Sequence, residues 1–359
     1  MNPSPANLSD IRTDVLKQTH LGRAYATKQL LCDRYEVLRL LGKGGFGVTF
    51  LAKDAQLPGT PHCVIKQLCP KVQNDALLER ARQRFAQEAK MLGLLGSSHS
   101  QIPHLLNYFE LEGEFYLIQE YIRGLTLSKQ MRRTGVWSEE TTKRFLRQFL
   151  PVLDYVHRHQ VIHRDLKPSN ILYSHQDDRL VLIDFGAVKE RVLNVDPATR
   201  LTFSTQFVGT VGFAAPEQLS LRPVFASDIY ALGMTCLYLM TGKPPLNLEY
   251  ESLTGEVRWR HEVQVSEYFG RVLDRMLKPS LRERYQSAAE VLRSLELESH
   301  FESLLPCMSK QPLAIAPDPE PVVKEYISPM MRTAIAIREW QKRLESKRIQ
   351  GAQPHLRDS

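Results

Sequence analysis

A chain of 359 residues with 43% hydrophobic residues can bury one large core or two modest ones, and its composition is that of a globular protein. The formal charge of +7 comes from basic residues spread along the chain and mixed with acidic ones, which argues against a nucleic-acid-binding protein. Five scattered cysteines, Cys32, Cys63, Cys69, Cys236 and Cys307, exclude a paired disulfide framework or a short-spaced zinc site and suit a reducing cytoplasm.

In chain order, residues 1–33 start with Asn2-Pro-Ser-Pro-Ala-Asn7, lack a basic start followed by an apolar run, and read as a mostly irregular extension without a signal peptide. Tyr35–Leu41, Val48–Ala52 and Cys63–Lys66 then predict three strands of a small antiparallel sheet, the first two joined by a tight glycine-rich loop. Leu77, Leu78, Ala81, Phe85, Ala89 and Leu92 recur at helical spacing and predict an amphipathic helix over 74–95, stopped before Gly96. Two more strands follow at Leu105–Phe109 and Phe115–Tyr121. Beyond Gly124 the balance shifts to helices, at Ser138–His159, Ser227–Leu239 and Ser287–Leu297. The longest apolar stretch, Ile229–Met240, is too short to span a bilayer, is interrupted by Gly233 and Thr235, and predicts a buried helix instead. After Leu305 the proline-rich run Ala314–Val322 reads as extended linker, and Thr333–Lys347, with Trp340, as a basic amphipathic helix. The predicted order is a strand-rich first part and a helix-rich second part, an α+β chain that changes character near Tyr121–Gly124.

Four constellations carry chemistry. Gly42, Gly44 and Gly47 in Gly42-Lys-Gly-Gly-Phe-Gly47 permit a sharp turn whose amides can approach phosphate oxygens. The strand-loop-strand setting excludes the dinucleotide fingerprint, which needs a helix after its glycines. Lys66 ends an apolar strand and needs a partner, because a buried unpaired ammonium is costly. Glu88, beside the apolar stripe of the next helix, is the candidate. Third and fourth come Val161-Ile-His-Arg-Asp-Leu-Lys-Pro-Ser-Asn-Ile-Leu172 and Leu180-Val-Leu-Ile-Asp-Phe-Gly186, in which apolar strands bracket short polar loops and hold them rigid.

These loops, in this order after the glycine loop, the strand lysine and the helix glutamate, resemble the protein-kinase superfamily, whose catalytic loop reads H-R-D-x-x-x-x-N and whose metal loop reads D-F-G. The wording Gly-Gly-Phe-Gly-Val-Thr-Phe-Leu-Ala, Val-Ile-Lys-Gln-Leu and Phe-Ala-Ser-Asp-Ile-Tyr-Ala-Leu-Gly is most similar to the eukaryotic-type serine/threonine kinases of bacteria, cyanobacterial ones in particular. The resemblance implies a bilobal fold over 34–300, with a small antiparallel-sheet N-lobe carrying one helix (34–121) and a larger helical C-lobe (122–300). The flanks are an N-terminal extension, 1–33, and a proline-containing linker with a basic tail, 301–359.

It also implies roles. Asp165 would accept or orient the proton of the attacking hydroxyl, and Lys167 would neutralise the γ-phosphate. Asn170 and Asp184 would hold magnesium, or manganese in its place. Lys66, fixed by Glu88, would contact the α- and β-phosphates of ATP. Nucleotide would lie against Leu41, Gly42, Lys43, Gly44, Gly45, Phe46, Gly47 and Thr49, between Val64 and Leu172, with Gln119 as gatekeeper and Glu120 and Ile122 as the hinge. Thr126 stands near the place that usually contacts ribose. His163 would pack and hydrogen-bond within its loop, Phe185 would lie under the helix of Glu88, and Asp228 would anchor the catalytic loop. Glu217 of Ala215-Pro-Glu217 would pair with Arg284, while Thr210 with Lys167 marks a serine/threonine enzyme. Thr202, Ser204 and Thr205 are candidate phosphate acceptors opposite Arg164. The expected partners are ATP and a protein bearing Ser or Thr, with no nucleic acid and no transmembrane segment. A pseudokinase that binds ATP without turnover and a kinase of small-molecule alcohols remain the alternatives.

Overall fold

The computed structural model describes residues 20–43, 47–68, 75–190 and 209–298. The expectations for Gly44, Gly45 and Phe46, for Thr202, Ser204 and Thr205, and for the proline-rich linker and basic tail lie outside the described residues.

The first lobe is built on a five-stranded antiparallel sheet of order β1-β2-β3-β5-β4, from Tyr35–Lys43 (β1), Gly47–Asp54 (β2), His62–Leu68 (β3), Leu105–Leu111 (β4) and Glu114–Glu120 (β5). Residues directly opposite one another share a face, so the register sorts the side chains. Phe50, Ile65 and Ile118 form one outer row, while Thr49, Lys66 and Leu117 form an inner row beside Leu51, Val64 and Gln119. The predicted nucleotide-facing residues of β2, β3 and β5 therefore lie on a single face. Helix α2, Asp75–Gly96, covers that lobe with Ala81, Phe85, Ala89 and Leu92 buried, as their spacing predicts.

The extension departs from the expectation of an irregular segment. His20–Thr27 forms a helix, α1, whose Leu21 and Ala24 are buried with Leu31, Phe50, Ile65 and Ile118 on the outer face of the sheet. Leu21, Ala24 and Tyr25 stand at the i, i+3, i+4 spacing of an apolar stripe, a signal too short to stand out before the structure is known.

The second lobe contains β6 (Gly124–Thr126), α3 (Leu127–Thr134), α4 (Glu139–Arg158) and the short strands β7 (Val161–Ile162), β8 (Ile171–Ser174), β9 (Arg179–Leu182) and β10 (Lys189–Glu190). After these come α5 (Pro216–Leu219), α6 (Phe225–Thr241), β11 (Glu249–Tyr250), β12 (Val257–Arg258), α7 (Glu267–Met276) and α8 (Ala288–Glu296). Helix α6 is apolar almost all round and runs through the core, where Ile229, Leu232, Met234, Cys236, Leu237 and Leu239 are fully buried. A serine hydroxyl caps each of α4, α7 and α8: Ser138, Ser266 and Ser287 accept from the backbone of the first turn. One apolar cluster joins Phe85 and Leu92 of α2 to Phe185 and to the α4 and α6 core, so the lobes share a continuous hydrophobic floor. Among the described residues no helix is long and apolar enough to cross a membrane.

Candidate active site

The lobes meet at Lys66. Its ammonium bonds to Glu88 Oε1 and lies 3.5 Å from Asp184 Oδ1. Burial alone would push the lysine down; the charges of Asp184 and Glu88 outweigh it and raise the lysine above its ordinary range. Burial pushes the Glu88 carboxyl up, with Lys66 working against that shift. Lys66 in turn holds Asp184 below the usual carboxylate range. The Asp184 side chain is 47% exposed, so its carboxylate is open to a ligand. Gly186 lies so close to Glu88 that an added Cβ would sit 3.2 Å from Oε2.

The loop between β7 and β8 carries the second half. Lys167 Nζ donates to Asp165 Oδ2 at 2.7 Å and to Thr210 Oγ1 at 2.6 Å, and Thr210 Oγ1 donates to Asp165 Oδ1 at 2.7 Å. This closed ring orients both carboxylate oxygens. Asn170 Nδ2 adds bonds to the Asp165 carbonyl at 2.9 Å and to Oδ2 at 3.0 Å. With its amide hydrogens committed, Asn170 keeps its oxygen, touched only by Ser169 Oγ at 3.5 Å, as the group able to meet a cation.

The loop is strained and multiply tethered. Arg164 has φ +67° and Asp184 φ +71°, a left-handed geometry that costs a non-glycine residue about 1–2 kcal/mol and persists only where the surroundings impose it. At Arg164 they do. Its amide donates to Asp228 Oδ1 at 2.8 Å, its carbonyl accepts from Gln218 Nε2 at 2.6 Å, and its Nε donates to the Ala187 carbonyl. Burial, with Arg84 nearby, pushes the guanidinium down to about 10. Asp228, fully buried on α6, also accepts from the His163 amide at 2.8 Å and from His157 Nε2 at 2.9 Å. His163 differs from expectation in one respect. Its ring packs edge-on to Phe185 with centroids 5.2 Å apart, but neither ring nitrogen has a hydrogen-bond partner among the described residues, and its backbone alone bonds. Burial keeps that imidazole low and neutral.

On the nucleotide side, Gly47 must be glycine, since a Cβ would lie 2.2 Å from the Gln67 carbonyl on β3. Val64 and Gln119 are opposite one another on β3 and β5 and both are buried. Of the two hinge residues that the resemblance implies, Glu120 donates its amide to the His104 carbonyl at 2.9 Å, and Ile122 is buried. Leu172 sits on β8 opposite Thr126. The Thr126 hydroxyl caps α3, accepting from the Lys129 amide at 3.4 Å, and keeps its own O–H as a donor.

At Ala215-Pro-Glu217, the end of the activation segment that the kinase resemblance implies from Asp184 onward, all five N–H groups of Arg284 donate. Glu217 takes two, at 2.7 and 3.2 Å, and the carbonyls of Ala226, Lys278 and Pro279 take the others at 2.8–3.0 Å. Ser227 Oγ donates to Glu217 at 2.6 Å. Gln218 and His157 were not singled out from the sequence. Gln218 directly follows Ala-Pro-Glu, and that adjacency is the one signal that could have flagged it.

A strand lysine paired with a helix glutamate, set over a loop whose aspartate is ringed by lysine, asparagine and threonine, defines a two-lobed catalytic domain of the kinase class. The chain belongs to the protein kinase domain family, whose model matches residues 35–295. It is 47% identical over 285 residues to serine/threonine-protein kinase B of Synechocystis sp., covering 79% of this chain and 50% of that protein. Serine/threonine-protein kinase PknA of Nostoc sp. is 44% identical over 271 residues, or 75% of this chain and 48% of that one. A probable serine/threonine-protein kinase, PknB, of Lactococcus lactis is 30% identical over 220 residues, 61% of this chain and 33% of that protein. The chain spans about half the length of the cyanobacterial relatives it matches.

Proposed function

We propose that this chain transfers the γ-phosphate of ATP to serine and threonine hydroxyls of proteins, acting in the cytoplasm. The observation that carries the reading is the ring around Asp165. A carboxylate held by Lys167, Asn170 and Thr210 is placed to take the proton of an incoming hydroxyl, while the Lys167 ammonium stands beside it to meet phosphate charge. Lys66, kept cationic by Glu88 and Asp184, serves the α- and β-phosphates.

The oxygens of Asp184 and Asn170 fit magnesium, which takes one or two protein oxygens and completes its shell with phosphates. When bound, the ion would bridge and neutralise the phosphates; manganese offers the same oxygen chemistry. Thr210 on Lys167 and Asp165 supports a serine or threonine acceptor. The cytoplasmic assignment rests on cysteine usage, since Cys32, Cys63 and Cys236 are free. No catalytic position is missing, so a scaffold without turnover finds no support.

The test is phosphate transfer from ATP and magnesium to a generic protein, with phosphoamino-acid analysis. Asp165→Asn is expected to lower kcat by about 10²–10⁴-fold, the range of a general base, while ATP affinity is kept. Unchanged turnover in that variant would refute the assignment.

A further inference from the structure

Between Tyr121 and Ser138 the chain carries Arg123, Lys129, Arg132 and Arg133 and no carboxylate, although the whole sequence holds 40 acidic residues to 47 basic ones. Lys129, Arg132 and Arg133 are exposed and stand three and four apart on α3, opposite the buried Leu127 and Met131. None of the three has an ion-pair partner among the described residues. Some exposed cations of the lobe do, Lys243 with Glu262 and Arg271 with Glu267, whereas Arg144, Arg222, Arg282 and Arg293 are single exposed cations with no ion pair among the described residues. What sets α3 apart is three such cations on one face with no carboxylate in the segment.

Helix electrostatics accounts for only part of this stripe. Arg132 and Arg133 lie in the last turn, where the dipole favours cations, but Lys129 lies in the first turn, where it does not, and no acid stands there to compensate. Cations three and four residues apart also repel. The helix itself offers the three no complement, so their charge is available to a partner from outside.

Where α3 begins is equally specific. The Ser128 amide donates to the Pro168 carbonyl at 3.1 Å, and Thr126 is paired with Leu172, which ties the start of the helix to the catalytic loop next to Lys167. Thus an unpaired cationic face flanks the loop that receives the phosphoacceptor.

We propose that this face of α3 docks an acidic stretch of the protein substrate, lying to one side of the accepted serine or threonine. The inference rests on the protein-kinase reading and adds the substrate class to it. An eight-residue helix is about 12 Å long, a span that about four residues of extended peptide cover, so a short run of Asp or Glu suffices. Substrates rich in Lys or Arg at those positions are repelled.

The test uses the full chain and three labelled peptides with one central threonine, flanked by Glu, by neutral residues or by Lys. Fluorescence anisotropy reads binding without turnover. The Glu-flanked peptide is expected to bind about tenfold or more tighter than the Lys-flanked one, with a preference that shrinks as salt is raised. Reversing Lys129→Glu with Arg133→Glu should abolish or invert the order; Lys129→Gln with Arg133→Gln should flatten it. Equal binding of the peptides, or a preference untouched by reversal, overturns the proposal. So does loss of binding to phosphatidylserine vesicles on reversal without any change toward peptides, which would assign the face to a membrane. If the preference holds but no phosphate is transferred to any peptide, the docking surface stands and the kinase reading fails.

Discussion

Asp165 and Asp184 sit on loops of the same lobe, yet Asp165 has its carboxylate bonded to Lys167, Thr210 and Asn170 at 2.7–3.0 Å, whereas Asp184 has Lys66 at 3.5 Å and the Gly186 amide at 3.4 Å. The first is closed by neighbours from its own lobe. The second reaches across to the other lobe and leaves nearly half its side chain open. Charge that must be aimed at an arriving hydroxyl is fixed in advance by hydrogen bonds that need no ligand. On the proposed reading, the charge that would meet a metal and polyphosphate keeps an exposed edge, since such an ion takes few protein oxygens.

The largest effect that would break this contrast is loss of the frame behind the acceptor half. Arg284→Ala removes the fully buried partner of the half-buried Glu217 and leaves that carboxylate without its cation, and the expected cost is about 3–5 kcal/mol of unfolding free energy, read by urea denaturation. A cost below 1 kcal/mol would mean that the end of the activation segment is not fixed by that pair. Glu88→Gln attacks the nucleotide half instead. Losing a charged partner of Lys66 should weaken ATP binding by about 1.5–3 kcal/mol, seen by calorimetry as a raised Kd with peptide KM unchanged; a change in peptide KM of the same size would show the halves to be coupled.

Gln218→Met is smaller and sharpens the contrast. It keeps the volume and removes the donor to the Arg164 carbonyl, which should lower kcat several-fold, about 0.5–1.5 kcal/mol, while both KM values stay put. An unaltered kcat would free Gln218 of any part in holding the loop. Asp228 governs the acid limb of stability. Burial alone would push that carboxyl up, but the hydrogen bonds from His157 and the backbone amides outweigh it and hold it low. A depressed carboxylate contributes stability that is complete above its unfolded value of about 3.9 and is lost as the pH falls through the folded one. Wild-type unfolding should therefore steepen below about pH 4, and Asp228→Asn should flatten that acid limb; identical acid limbs would exclude the group.

Most of the site was legible because its polar residues come in short runs between buried strands, as at Ile162-His163-Arg164-Asp165 and Leu182-Ile183-Asp184, where residue type, spacing and apolar brackets agree. The sheet and the long helices were legible for a related reason, their periodicity being unbroken over many residues. What escaped was short or conformational. Helix α3 shows only Leu127 and Met131 as its buried stripe, and α7 its Phe269, Val272, Leu273 and Met276 after the capping Ser266, and both lie outside the three helices expected beyond Gly124. Thr126 has the composition of a ligand contact and the geometry of a cap. The left-handed backbone at Arg164 and Asp184 has no signature in side-chain type, since neither position is glycine and the conformation is imposed by partners distant in sequence.

The helix at His20–Thr27 bears on where the unit that folds begins. The family match starts at residue 35, yet Leu21 and Leu31, 0% and 4% exposed, lie against Phe50, Ile65 and Ile118. A protein cut at the family boundary would present that sheet face bare to water, a flat apolar surface of the kind that drives self-association. The folded unit therefore reaches back at least to Leu21, ahead of the segment by which it is recognised.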